Sequence, residues 1–262
     1  MSLIKVEMFS NSLERPVMFE MFMPISFRTD PLAPPNPHFE RPCKTVFVLH
    51  GYTGWGRGWD HMYELGMKYN LALVFPSVEN CFYLDLDASP FRYGTFVGVE
   101  LVEYIRKTFC LCREKEDTFI SGLSMGGFGA LHLALSHPET FGKIAALSSA
   151  LIIHGIAGMK PGEETHIANY DYYRNVFGDL EQITQSNKNP ETLVKRLLKE
   201  GVSIPPIYMA CGTEDFLLEN NRQFYQFLTE NKVAVDYFES PGGHDMEFWN
   251  VFFEKSFEWI LA

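Results

Sequence analysis

Thr118-Phe119-Ile120-Ser121-Gly122-Leu123-Ser124-Met125-Gly126-Gly127 runs from strand-forming residues straight into a glycine-rich helix start. This places a GxSxG pattern, residues 122–126, at a strand-to-helix turn, the context in which that pattern carries a nucleophilic serine. Glycine is needed on both sides of the serine because a side chain there would collide with the neighbouring strand or helix. The turn aims the Ser124 hydroxyl away from the sheet, and the N-terminal amides of the following helix favour negative charge formed beside it. The same ten residues could form a plain turn in which Ser124 only caps a helix, so the rest of the chain decides between the two.

Outward from this stretch, beginning at Thr45, continuous apolar runs alternate with segments of helical length. This pattern marks parallel strands buried on both faces. Strands are expected at residues 46–49, 71–75, 118–120, 144–147, 207–210 and 233–238, and helices at 97–109, 126–136, 217–230 and 246–260. Two earlier runs, 4–9 and 17–22, read as an antiparallel edge hairpin. The loop after it, with Pro31, Pro34, Pro35, Pro37 and Pro42, resists regular hydrogen bonding. Between 147 and 207 lie roughly sixty residues, too many for a structureless loop. A cap with its own helices is expected at about 150–204, one of them near 191–200. The expectation is a single α/β domain over 1–262: a doubly wound, mostly parallel sheet with a cap insertion.

A serine hydroxyl is a weak nucleophile at neutral pH, so it needs a histidine base and a carboxylate to orient that base. In this kind of fold the acid and then the histidine follow the serine in the chain. After the strand at 207–210 comes Cys211-Gly212-Thr213-Glu214-Asp215-Phe216, and Asp215 is preferred to Glu214 as the acid because the apolar stretch begins beside it. His244 is the only histidine downstream of Asp215; it sits in Ser240-Pro241-Gly242-Gly243-His244-Asp245, where paired glycines let the backbone fold back over the sheet. An oxyanion hole needs two amide donors: Met125 N–H, directly after the nucleophile, and Tyr52 N–H from His50-Gly51-Tyr52-Thr53-Gly54. His50 is expected to orient that loop rather than act as a base.

The 262 residues carry 22 basic and 33 acidic side chains, a net charge of -11 that disfavours nucleic acid and anionic membrane surfaces. No apolar run approaches the roughly 20 residues of a membrane span. The N-terminus lacks the basic, apolar and small-residue succession of a secretory signal, which points to the cytoplasm. Cys43, Cys81, Cys110, Cys112 and Cys211 show neither a disulfide framework nor metal-ligand spacing, so reduced thiols and no metal are expected.

With Gly122 to Ala130 as GLSMGGFGA, Cys211 to Leu217 as CGTEDFL, and the His50 to Gly54 loop, the chain resembles the esterase family of tributyrin esterases, S-formylglutathione hydrolases and feruloyl or acetyl-xylan esterases. It looks closest to the tributyrin esterase branch. The resemblance implies an α/β-hydrolase fold and hydrolysis of small short-chain acyl esters without a cofactor. It carries the roles of nucleophile, acid and base onto Ser124, Asp215 and His244, and the oxyanion hole onto Tyr52 and Met125. It also places Trp55, Trp59, Phe82 and Tyr83 near a substrate pocket. HGYTG departs from the SGLTC-like loop of the S-formylglutathione hydrolases, which argues against a glutathione thioester. Two other readings stand beside it: an esterase acting on acetylated or feruloylated plant oligosaccharides, and a noncatalytic binding protein that kept the turn by descent. The partner is a small-molecule ester in the first two, and a homo-oligomer fits any of them.

Overall fold

The computed structural model describes residues 1–24, 35–87 and 91–262. The described strands form one sheet: β1 (Ser2–Ser10), β2 (Arg15–Met23), β3 (Lys44–Leu49), β4 (Leu71–Pro76), β5 (Thr118–Leu123), β6 (Lys143–Leu147), β7 (Ile207–Gly212) and β8 (Val235–Ser240). Their spatial order is β1-β2-β4-β3-β5-β6-β7-β8. The β1–β2 and β2–β4 pairs are antiparallel and the rest parallel. The order reverses between β3 and β5, since β3 leads outward to β4 and β5 to β6. Such a switch point opens a crevice at the carboxyl ends of two adjacent strands, where α/β sheets bind ligands.

The described helices are α1 (Asp60–Tyr69), α2 (Tyr93–Thr95), α3 (Leu101–Phe109), α4 (Met125–Ser136), α5 (Ile153–Ile156), α6 (Tyr170–Phe177), α7 (Pro190–Glu200), α8 (Leu218–Glu230) and α9 (Met246–Leu261). Alternation along the strands feeds two cores. Val46, Val48 and Phe119 pack with α1 and α9 on one face, and Phe47, Leu49 and Ile120 with α3 and α4 on the other. This is the doubly wound, mostly parallel sheet that the runs of apolar residues predict, and the α/β-hydrolase fold that the family resemblance implies.

Several boundaries move for local reasons. β5 continues to Leu123 because Ser121, Gly122 and Leu123 are paired with β6, and Ser121 and Gly122 also with β3. β8 begins at Val235 rather than 233, because Lys232 takes a positive φ and Val233 N–H turns back to the Leu228 carbonyl at 3.0 Å. Apolar periodicity does not single out α1, whose buried positions are only Met62, Gly66 and Tyr69. The expected helix at 97–109 starts earlier, at Tyr93, and passes through a π turn at Phe96–Glu100 where Gly98 lies against His137 and Leu133. Of the proline-rich loop, Pro31 and Pro34 lie outside the described residues. All five cysteines are unbridged.

Between β6 and β7 the chain forms α5, α6 and α7. α7 starts at an Asn189 cap and packs against α4 at the flank of the sheet, so the helix expected near 191–200 does not stand over the crevice. The residues of this segment that line the crevice come from its first part, Ala150 to Tyr173.

Candidate active site

Ser124 joins β5 to α4 with φ 55° and ψ −119°. A non-glycine residue held there costs on the order of 1–3 kcal/mol and persists only where surroundings impose it. Here its N–H donates to the Leu147 carbonyl at 2.9 Å, and its own carbonyl accepts from Ala150 N–H at 2.9 Å and Phe128 N–H at 3.1 Å. A Cβ on Gly126 would run into the Leu49 carbonyl, and one on Gly122 into the carbonyl of Gly126. The glycine spacing is therefore the condition for α4 to pack tightly across β3 and β5.

The ends of β7 and β8 bring two further groups to the serine. His244 Nε2 lies 2.9 Å from Ser124 Oγ, and His244 Nδ1 lies 2.8 Å from Asp215 Oδ2. A carboxylate on that side holds the ring proton on Nδ1 and leaves Nε2 to accept the serine proton. Asp215 is 5% exposed. Burial pushes its carboxyl up, but hydrogen bonds from His244, the Leu217 N–H and the Ser148 hydroxyl outweigh it and leave the group below its ordinary value. Glu214, the other carboxylate of the turn, points away and accepts from Gly242 N–H, while its own N–H donates to the Gly242 carbonyl at 3.1 Å. It pins the histidine loop instead of touching the imidazole.

The loop after β3 supplies the facing wall. Gly51 comes close to Ser124, since a Cβ there would stand 3.4 Å from the serine Cβ. Val78 N–H donates to His50 Nε2 at 3.2 Å, so the ring proton sits on Nδ1 and donates to the Gly51 carbonyl at 2.8 Å. Burial lowers the His50 pKa and keeps the ring neutral in that role. Among the described residues, neither the Tyr52 nor the Met125 amide donates to a protein acceptor. Both residues line the cavity that Ser124 faces. Two free amides beside a nucleophilic hydroxyl are what a developing oxyanion needs.

Two cavities meet at Ser124. One, of about 240 Å³, is walled by Phe82, Met125, Ala150, Ile152, Ile156 and Leu217. The other, of about 510 Å³, is open and lined by His50, Trp55, Arg57, His244, Met246 and Trp249. Tyr52, Ser124, Ile167 and Phe216 border both and form the waist between them. Among the described residues no group of three or more His, Cys, Asp or Glu is placed to hold a metal ion.

Over residues 10–260 the sequence matches the family described as "Putative esterase". The chain belongs to that family. The esterase is also 41% identical to an acetyl esterase of Caldicellulosiruptor saccharolyticus, over 99% of this chain and 98% of the relative. Its fold is that of the fluorophosphonate-binding serine hydrolase FphF of Staphylococcus aureus, with a TM-score of 0.84 at 22% identity, covering 100% of this chain and 98% of that one. A ferulic acid esterase superposes with a TM-score of 0.74 at 21% identity, over 99% and 97% of the two chains.

The four aromatic residues expected at the pocket separate in the esterase. Phe82 lines the smaller cavity. Trp55, 58% exposed, stands at the mouth of the larger one with the Arg57 guanidinium 5.6 Å from its ring. Trp59 reaches the same wall but is mostly core, stacked on Phe75 and edge-on to Phe253. Tyr83 does not reach either cavity: it is fully buried, and its hydroxyl donates to the His50 carbonyl at 2.9 Å, behind the loop. Three residues at the site carry no signal in the linear sequence. Phe216 lies 4.6 Å from the His244 ring, Trp249 meets that ring edge-on at 4.8 Å, and Trp249 Nε1 donates to Ser148 Oγ at 3.0 Å. They arrive by tertiary approach of α9 and of the turn before α8.

Proposed function

We propose that the chain is a serine carboxylesterase that hydrolyses small acyl esters through an acyl-enzyme on Ser124. The observation that carries this reading is the unbroken line of hydrogen bonds from Asp215 through His244 to Ser124 Oγ. His244 Nε2 takes the hydroxyl proton as Ser124 Oγ attacks the carbonyl carbon, and the Tyr52 and Met125 amides receive the oxyanion. Collapse breaks the ester C–O bond, and the leaving alkoxide takes the proton from His244. Water, deprotonated by the same imidazole, then attacks the acyl-enzyme and releases the acid. Asp215, held ionised by its hydrogen bonds, keeps the ring oriented throughout.

The two cavities fit the two halves of an ester. His244 borders only the larger one, and it must protonate the leaving oxygen, so the alcohol lies there and the acyl group enters the smaller. The first part of the segment expected as a cap at about 150–204, Ala150 to Tyr173, covers the acyl side with Ile152, Ile156 and Ile167. The acyl side is the smaller of the two and is walled mainly by apolar side chains, which favours short acyl chains. The relative named acetyl esterase supports a small acyl group.

Hydrolysis of p-nitrophenyl esters from acetate to decanoate, with Ser124→Ala as control, tests the reading. Turnover should be highest with the short esters and fall towards decanoate, and a fluorophosphonate should label Ser124 in folded protein. Absence of labelling would favour a noncatalytic binding protein instead. A second reading, release of acetate or ferulate from plant oligosaccharides, is favoured by Trp55 and Arg57, which offer a sugar ring a stacking face at the alcohol side. Among the described residues no helix is long and apolar enough to cross a membrane.

A further inference from the structure

Among the described strands, β1 lies at one edge of the sheet, paired on one side only, with β2. An exposed strand edge is a template for pairing with another chain, and proteins usually blunt it with several charges, a proline or a bulge. β1 is a regular nine-residue strand, Ser-Leu-Ile-Lys-Val-Glu-Met-Phe-Ser, with no proline. Its outward face carries Leu3, Lys5, Glu7 and Phe9, all exposed, with Leu3 at 43% and Phe9 at 60%. Ile4, Val6 and Met8 point the other way and are half-buried against the core.

The order of these residues is self-complementary. If a second copy of β1 runs antiparallel to the first with Val6 opposite Val6, Lys5 faces Glu7 and Leu3 faces Phe9, each pair twice by symmetry. On the inner face Ile4 meets Met8. Directly opposed charges of unlike sign and opposed apolar pairs both stabilise a ladder, whereas like charges destabilise it. Sliding the register two residues in one direction sets Lys5 against Lys5 and Leu3 against Glu7. Sliding it two in the other sets Glu7 against Glu7 and Lys5 against Phe9. A slip of one residue puts outward residues against inward ones. Among these alternatives only the Val6-centred register satisfies every pair.

We propose that β1 is a homodimer edge: two copies of the chain join β1 to β1 about a two-fold axis through Val6, continuing the sheet across both. The contact is isologous, as two-fold interfaces are. A ladder of one strand pair is a small interface, so the dimer is reversible rather than obligate. Two chains of charge -11 repel each other, but at physiological ionic strength that repulsion is screened beyond about 8 Å, while the Lys5–Glu7 pairs act at contact.

Sedimentation velocity over a rising concentration series, in about 0.15 M salt, tests this with three proteins. The wild type should sediment as a monomer–dimer equilibrium. Glu7→Lys sets two lysines against each other at both pairs, and Lys5→Glu sets two glutamates; each should weaken dimerisation at least tenfold. Mixed in equal amounts, the two variants should dimerise again, because every lysine of one strand then faces a glutamate of the other. Thermal melting checks that both variants fold, which matters for Lys5→Glu because Lys5 also pairs with Glu20 at 3.3 Å. Monomeric wild type at every concentration, a dimer indifferent to both substitutions, or failure of the mixture to reassociate would each overturn the proposal. None of these readouts uses the esterase reaction.

Discussion

The two halves of the candidate site achieve their precision by different means. On the nucleophile side Ser124 sits among strands buried on both faces, and its position follows from glycines that admit no Cβ. On the acid–base side, β8 is a half-exposed edge strand, and the histidine loop after it is held by Glu214, Asp215 and the edge of Trp249. Close packing places the first and hydrogen bonds place the second. The lesson is that damage on one side should show as lost stability as well as lost rate. On the other it should show as lost rate and altered response to pH.

The largest expected effect tests the shared endpoint of both halves. Ser124→Ala should lower kcat about 10⁶-fold by analogy with other triads, with no fall in melting temperature. Asp215→Asn should cost about 10⁴-fold in kcat, because the amide no longer holds the imidazole in the correct tautomer. Because the folded state holds the Asp215 carboxyl below its ordinary value, the substitution should also lower melting at neutral pH, and the gap should close as pH falls into the acidic carboxylate range. Gly126→Ala probes the opposite side. It should lower the melting temperature by several degrees, on the scale of about 2–4 °C per kcal/mol for a chain of this size or somewhat smaller, and reduce turnover because the elbow shifts.

Glu214→Gln sharpens the contrast through pH. Hydrogen bonds from Gly242 N–H and the Thr213 hydroxyl hold the Glu214 carboxyl below its ordinary value. A depressed folded-state pKa stabilises above the unfolded value and loses that stabilisation as pH falls through the folded one. The wild type should therefore melt above Glu214→Gln at neutral pH, and the gap should close on moving into the acidic carboxylate range. The smallest effect expected is from Trp249→Phe, which keeps an aromatic edge near His244 but loses the bond to Ser148. A fall of roughly two- to tenfold in kcat/KM is the size of one hydrogen bond.

The strands from β3 to β7 could be read from the sequence because burial on both faces makes them continuous apolar runs. β8 slipped by two residues because an edge strand has no such run, and its start depends on how the chain turns back at Lys232. α1 escaped for the same reason: three buried residues in ten barely raise the periodicity. At the site, Ser124, Asp215 and His244 each end or follow a strand in a fixed order, and the structure brings these three within hydrogen-bond reach. Tyr83 shows the opposite limit. An aromatic residue in a loop looks the same in sequence whether it faces a cavity or, as here, braces His50 from behind. Ile167 and Phe216, two of the four residues at the waist between the cavities, come to it across about fifty residues of intervening chain, a distance at which local pattern carries no information.

The left-handed backbone at Ser124 has a consequence for selection. Glycine would occupy that φ without steric cost, so Ser124→Gly should melt higher than the wild type while doing no chemistry. At this one position resistance to heat and possession of a nucleophile pull in opposite directions. A screen for thermostable variants that does not also ask for turnover would thus reward the loss of the hydroxyl.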